Sequence, residues 1–165
     1  MKKAVFRVDS GTKIGYGHVS RCLALAAGLR RRGWRVEFLC RALPGHAGAL
    51  IARERFHLGL VSAASERSRL RAALAGGATL IVDSNSIRAP YHRAVRGGTG
   101  LIVAIDDNGL GRFDCDILIN HNVYATPSLY RGKTPASASL LLGPSYALLR
   151  PQFAPQKRRS AGHGA

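Results

Sequence analysis

One hundred and sixty-five residues, 46% of them hydrophobic, suffice for one domain with a single buried core and argue against a disordered chain. The net charge of +16, from 25 Lys and Arg against 9 Asp and Glu, is the anomaly of the composition and raises nucleic acid as a partner. No stretch approaches the roughly 20 apolar residues of a membrane span, and the N-terminus lacks a signal-peptide core, so the expected location is the cytoplasm.

In chain order, apolar β-rich runs predict strands at residues 4–8, 36–40, 58–61, 79–82, 101–105, 117–119 and 140–142. Helical patterns fall between the first five of them, at 19–32, 46–55, 65–75 and 90–96. Gly33 stands where the first helix should end, and Gly97-Gly98 where the last should. The strands are nearly continuous in apolar character, as parallel strands covered on both faces are. Alternation of this kind predicts an α/β fold with a doubly wound, Rossmann-like, mostly parallel sheet. After Pro151 the chain turns small, polar and basic, and reads as a linker or frayed end over 154–165, leaving a domain over 1–153. Cys22, Cys40 and Cys115 lie in apolar segments without metal-type spacing and are expected to be reduced and buried.

The first strand runs into a loop carrying Gly11, Gly15 and Gly17, with His18 where the next helix must start. Glycines there let a ligand approach the backbone, and a helix N-terminus favours anions. The positive helix end should also keep the imidazole neutral and able to accept a proton. Spacing alone leaves His18 as either a general base or a turn residue, because neither the dinucleotide fingerprint nor the P-loop is present.

Ligands of open parallel sheets sit beyond the carboxyl ends of the strands. Those ends carry Asp9-Ser10, Asp83-Ser84-Asn85, Asp106-Asp107-Asn108 and Asn120-His121-Asn122. Each alone reads as an Asx turn or a helix cap; together with His18 they outline a polar cleft. Asp106-Asp107 has the look of a divalent-cation pair, but adjacent residues on a strand face opposite ways, so both reach one ion only if the strand has ended. The other histidines are scattered, and only His121 adjoins the cleft.

The segment Phe6–Arg21 with Cys22–Leu25, then Ile105-Asp106-Asp107, Cys115–Asn120 with Asn122–Ala125, and Gly143–Arg150 resemble, in order, the nucleotide-sugar hydrolases of pseudaminic acid biosynthesis. Those enzymes remove UDP from UDP-2,4-diacetamido-2,4,6-trideoxy-β-L-altropyranose. They are similar in fold to the GT-B glycosyltransferases, and are related to glycosyltransferase-like proteins of spore-coat polysaccharide synthesis. The resemblance implies the N-terminal half of a GT-B fold, with His18 as catalytic base and neither metal nor cofactor. It implies a UDP-sugar substrate, for which the strand ends and the glycine loop offer a cleft lined by Asp9, Gly15, Tyr16, Gly17, Asp83, Asn85, Asp106, Asp107, Asn122 and Tyr146. The sugar's hydroxyl and acetamido groups suit the polar residues, and Tyr16 and Tyr146 would add an apolar platform. It also implies that a C-terminal UDP-binding domain is absent here and would have to be supplied in cis or in trans. At Asp83-Ser84-Asn85 many relatives carry Asp-His-Tyr, a difference that bears on which sugar is accepted. A GT-B glycosyltransferase remains the alternative enzyme, and a non-catalytic sugar- or nucleic-acid-binding half-domain the alternative outside enzymes. The basic residues are dispersed and lack aromatic interleaving, which favours a solvated surface over nucleic-acid binding.

Overall fold

The computed structural model describes residues 1–149. The expected domain limit at 153, the basic segment 154–165 and Arg150 of the last motif lie outside them. Seven strands, β1 (Lys3–Val8), β2 (Arg35–Arg41), β3 (His57–Val61), β4 (Thr79–Asp83), β5 (Ile102–Ile105), β6 (Ile117–Asn120) and β7 (Ser139–Leu142), form one sheet in the order β3-β2-β1-β4-β5-β6-β7. Every pairing is parallel. Four helices intervene: α1 (Gly17–Arg31), α2 (Gly48–Arg53), α3 (Glu66–Leu74) and α4 (Ala89–Val95). This is the open, Rossmann-like sheet that the alternation of patterns predicts.

The two faces follow from the strand period of two. Ala4, Phe6 and Val8 of β1 join Phe38 beneath α1 (Val19, Cys22, Leu23, Ala26) and α2 (Ile51). Val5, pointing the other way, joins Leu80 and Ile102 beneath α3 (Leu70, Leu74) and α4 (Val95). So the helices after β1 and β2 cover one face, and those after β3 and β4 the other. The chain switches faces between neighbours β1 and β4, which opens a crevice at their carboxyl ends.

All three cysteines are free and buried, as expected. Among the helices, α2 departs most from the pattern, which ran over 46–55. Arg55 adopts φ 58, a left-handed conformation that ends the helix early. At the other end, the His46 Nδ1 accepts a hydrogen bond from the Gly48 N–H, so His46 sits ahead of the helix. Between β5, β6 and β7 no α-helix crosses; the last connection holds only a short 3-10 turn at Pro127–Tyr130.

The first core centres on Phe6, fully buried and stacked on Phe38 at 4.8 Å between ring centroids. Phe6→Ala should cost about 3–5 kcal/mol, because the cavity sits between a central strand and α1 and can relax only in part. Urea unfolding should show the midpoint falling with an unchanged slope.

Candidate active site

At the β1–β4 crevice the loop after β1 folds back on itself. The Gly15 N–H donates to the Gly11 carbonyl at 2.8 Å, and Gly15 takes φ 78, a conformation that suits glycine. Helix α1 starts at Gly17 after Tyr16, with no side-chain cap and no acidic residue in its first turn. A Cβ at Gly17 would meet nothing within 4 Å, so packing of the protein does not itself demand glycine there.

His18 projects from this first turn onto β4. Its Nδ1 lies 2.6 Å from Oδ1 of Asp83, the last residue of β4, whose side chain is completely buried. A carboxylate at that distance requires the proton on Nδ1, which leaves Nε2 with its lone pair free. Arg21, one helical turn on, clamps the same carboxylate: its Nε donates to Oδ2 and its Nη2 to Oδ1, both at 2.6 Å. The Arg21 Nη2 also stands 3.1 Å from His18 Nδ1. With Nδ1 protonated this is a close approach of two donors converging on one oxygen, not a hydrogen bond between them. The Arg21 Nη1 reaches Asp107, just past β5, at 2.6 Å. Burial would raise the Asp107 carboxyl, but the Arg21 hydrogen bond and charge, with Asn122, hold it below its ordinary value.

The hydrogen bond to Asp83 raises the His18 pKa above its ordinary value, against a smaller opposing effect of burial. This corrects the expectation that the helix terminus keeps the ring neutral. The dipole is present, but a short bond to a buried carboxylate outweighs it. The ring is a stronger base than a free imidazole and has a fixed tautomer.

A cleft of about 330 Å³ opens over His18, lined also by Asp9, Lys13, Arg41, Asp83 and Ser84–Ser86. Its floor is anchored by a charged network. Fully buried Arg7 grips Asp9 with both Nη atoms, at 2.7 and 3.0 Å, and donates from Nε to Glu66 at 2.8 Å. Burial alone would lower the Arg7 pKa; Glu66 and Asp9 outweigh it and raise it. Glu66 also accepts from Tyr91 and Arg41, and its pKa falls to about 2, these bonds overcoming the opposite effect of burial. Arg41 donates its own backbone N–H to Asp9 at 2.9 Å.

Of the residues singled out in the sequence, His18, Asp9, Asp83 and Asn85 share the cleft. Gly15, Tyr16 and Gly17 form its approach, with Tyr16 half exposed. Asp107 joins through Arg21, and Asn122 through its Nδ2 bond to Asp107 at 3.3 Å. Asp106 turns inward, where its Oδ2 accepts from Tyr130 at 2.7 Å and from the Gly109 N–H at 2.6 Å. The strand has indeed ended before the pair, yet the two carboxylates take separate partners. Tyr146 lies in the turn after β7, the edge strand, and does not line the cleft. His121 is half-buried, and its Nδ1 has no partner among the described residues.

Sequence reasoning assigned no role to Arg21, Arg7 or Glu66. Arg21 carried one available signal: it follows His18 by three residues, so both share a helix face. Arg7 looks like the exposed position of an alternating strand, and Glu66 like an ordinary acidic first-turn residue.

Fold and site together define a doubly wound α/β domain with a histidine–carboxylate dyad and an uncapped helix N-terminus at its topological switch point. The chain is 31% identical over 158 residues, 92% of its length, to the UDP-2,4-diacetamido-2,4,6-trideoxy-beta-L-altropyranose hydrolase of Campylobacter jejuni. The match takes in 53% of that protein, so the chain spans about half the length of the curated relative it matches. No protein-family model matches the chain.

The His18 ring should titrate above its ordinary value of 6.5 in the folded chain, and Asp83→Asn should shift the midpoint downward, as followed by NMR of the imidazole C–H. A raised folded-state pKa means that the bond to Asp83 adds stability most fully below about 6.5. That increment is lost as pH rises through the folded value, so the stability difference between wild type and Asp83→Asn should shrink across that window.

Proposed function

We propose that this chain forms the water-activating wall of a nucleotide-sugar site, and that the reaction is hydrolysis of UDP-2,4-diacetamido-2,4,6-trideoxy-β-L-altropyranose. The single observation that carries the reading is the His18–Asp83 bond at the mouth of the β1–β4 crevice, which leaves Nε2 facing open space as a base. The substrate comes from the relative's name alone. In this mechanism a water molecule lies between His18 Nε2 and the anomeric carbon. As its oxygen bonds to that carbon, the bond from the carbon to the phosphate oxygen breaks and UDP leaves with the electron pair, inverting the centre. His18 takes the water proton, and Asp83 with Arg21 stabilises the imidazolium. Base assistance of this kind contributes roughly 10²–10⁴-fold.

Gly15, Tyr16 and Gly17 bring the uncapped N-terminus of α1 against the substrate, where its free N–H groups favour the diphosphate. The opening beside Gly17 supports that close approach. Asp9, Asn85, Asp107 and Asn122 are the polar groups available to the sugar. We place the opposite wall, with most of the uridine contacts, in a second domain of GT-B type; reaction in the cytoplasm fits a nucleotide-sugar substrate.

One observation favours transfer to an alcohol acceptor over hydrolysis. A second, apolar pocket of about 360 Å³, lined by Gly11, Thr12, Leu43 and Pro44, shares Lys13, Ile14 and Leu43 with the His18 cleft. An acceptor lodged there would stand where hydrolysis needs water. Hydrolysis is the stronger reading because the matched relative is a hydrolase.

The test joins the chain to the C-terminal domain of a relative, in cis or in trans, and follows UDP release. The joined enzyme should turn over, whereas the 165-residue chain alone should release UDP negligibly, because one wall neither excludes water nor stabilises the leaving group. His18→Asn in the joined enzyme should leave binding nearly intact and cut turnover at least about a hundredfold. Turnover within a few-fold of wild type would remove His18 from the base role. Mass analysis in ¹⁸O-labelled water separates the readings, since only hydrolysis places the label on the sugar.

A further inference from the structure

The net charge of +16 is not spread evenly over the molecule. Every Asp and Glu carboxylate except that of Glu54 is held by a hydrogen bond or ion pair to the chain, four of them (Asp9, Asp83, Asp106 and Asp107) at the carboxyl ends of the strands. What remains for the surface is largely cationic. In a parallel sheet all helix C-termini and strand starts share one edge, and here the part of that edge around α1, α2, β1 and β2 gathers mostly positive charge. Arg30, Arg31 and Arg32 end α1, Lys2 and Arg35 flank the starts of β1 and β2, and Arg53 and Arg55 end α2.

Contacts tie these segments into one surface. The Arg35 N–H donates to the Lys2 carbonyl at 3.0 Å, and the Arg30 Nη1 donates to the Glu54 carbonyl at 2.8 Å. The Arg30 guanidinium lies 4.2 Å over the Phe56 ring and the Lys2 ammonium 5.5 Å over Trp34. The acids of this edge are few: Glu37 is taken by Lys3 at 2.9 Å and faces His57 at 3.7 Å, Asp114 and Asp116 ahead of β6 are paired with Arg96, and the exposed Glu54 remains. We propose that this edge, centred on Arg31, Arg32 and Arg35, docks the protein onto an anionic lipid surface.

A lipid surface fits better than a nucleic acid for two reasons. The cations sit at strand starts and helix ends, not along one face of a helix that could enter a duplex groove. Its aromatic rings are also engaged, Trp34 under Lys2 and Phe56 under Arg30, so neither is free to stack on a base. A planar anionic layer needs only a dense cationic face. Docked this way, the His18 cleft lies at the opposite end of the strands, roughly 20 Å away and facing the aqueous phase. The surface is therefore separate from the substrate site, and the proposal stands apart from the reading of that site.

The test is co-sedimentation of the 165-residue chain with vesicles of phosphatidylcholine plus phosphatidylglycerol, against phosphatidylcholine alone, at several salt concentrations. Binding should need the anionic lipid and weaken steeply with salt. Arg31→Glu, Arg32→Glu and Arg35→Glu together should weaken it at least about tenfold. Arg67→Glu and Arg69→Glu on α3, with Arg112→Glu, whose carbonyl accepts from the first residue of α4, change the net charge equally and should leave binding within about threefold. Arg30 is kept because it packs on Phe56. Should charge reversal unfold the chain, as circular dichroism would reveal, the corresponding Gln triples carry the same comparison. Absence of binding to anionic vesicles overturns the proposal. Equal losses in the two triples would mean diffuse net charge, and overturn it too. Tighter binding to a duplex DNA than to the vesicles at equal salt would assign the edge to nucleic acid instead.

Discussion

The arrangement of the crevice depends on one buried carboxylate. Asp83 closes β4 with no side-chain surface in water, and a carboxylate so placed must be compensated by hydrogen bonds and opposite charge. Both compensating groups come from the first turns of α1, across the point where the sheet changes the face it covers. One bond fixes the tautomer of His18 and orients its free nitrogen. The Arg21 clamp fixes the rotation of the carboxylate, and through Asp107 links β5 to the same cluster. The position of His18 is thus set by interactions spanning three chain segments. Removing either partner leaves a buried charge that the remaining structure must accommodate.

A second charged network, Arg7 with Asp9 and Glu66, stands behind the first. It joins the end of β1 to α3, and through Arg41 to β2, so these two neighbouring strands are braced from the side opposite α1. Buried ion pairs of this sort are weak evidence for stability as such. Here they fill both sides of the crevice with committed polar groups. Few orientations remain open to the cleft residues, and that preorganisation is useful where a water molecule must be aimed.

The same commitment explains the polarity of the molecule as a whole. The carboxylates are few, and the strand ends and networks take up nearly all of them. Cations that might have paired with them on the surface are left unmatched, most densely at the edge where α1 and α2 terminate. Arginines there also complement the helix dipoles, so local helix chemistry and global charge act in the same direction.

Periodicity alone determined the seven strands, the four helices and the doubly wound sheet, because apolar spacing and turn residues are local properties of the chain. The glycine loop and His18 were visible for the same reason, and so were the polar strand ends. Which of those ends meet was not. Asp83 is 65 residues from His18, and only the β1–β4 pairing puts them in contact. The sign of the His18 shift was likewise decided in three dimensions, where a 2.6 Å bond to a sealed carboxylate overrode the helix end read from sequence. Asp106 and Asp107, identical neighbours in the chain, part company because one turns under to Tyr130 and the other out to Arg21. Tyr146 reads like a cleft residue, but strand order carries it to the far side of the sheet. Local pattern specifies elements; burial and strand order decide which charges must share a space, and so which residues make the site.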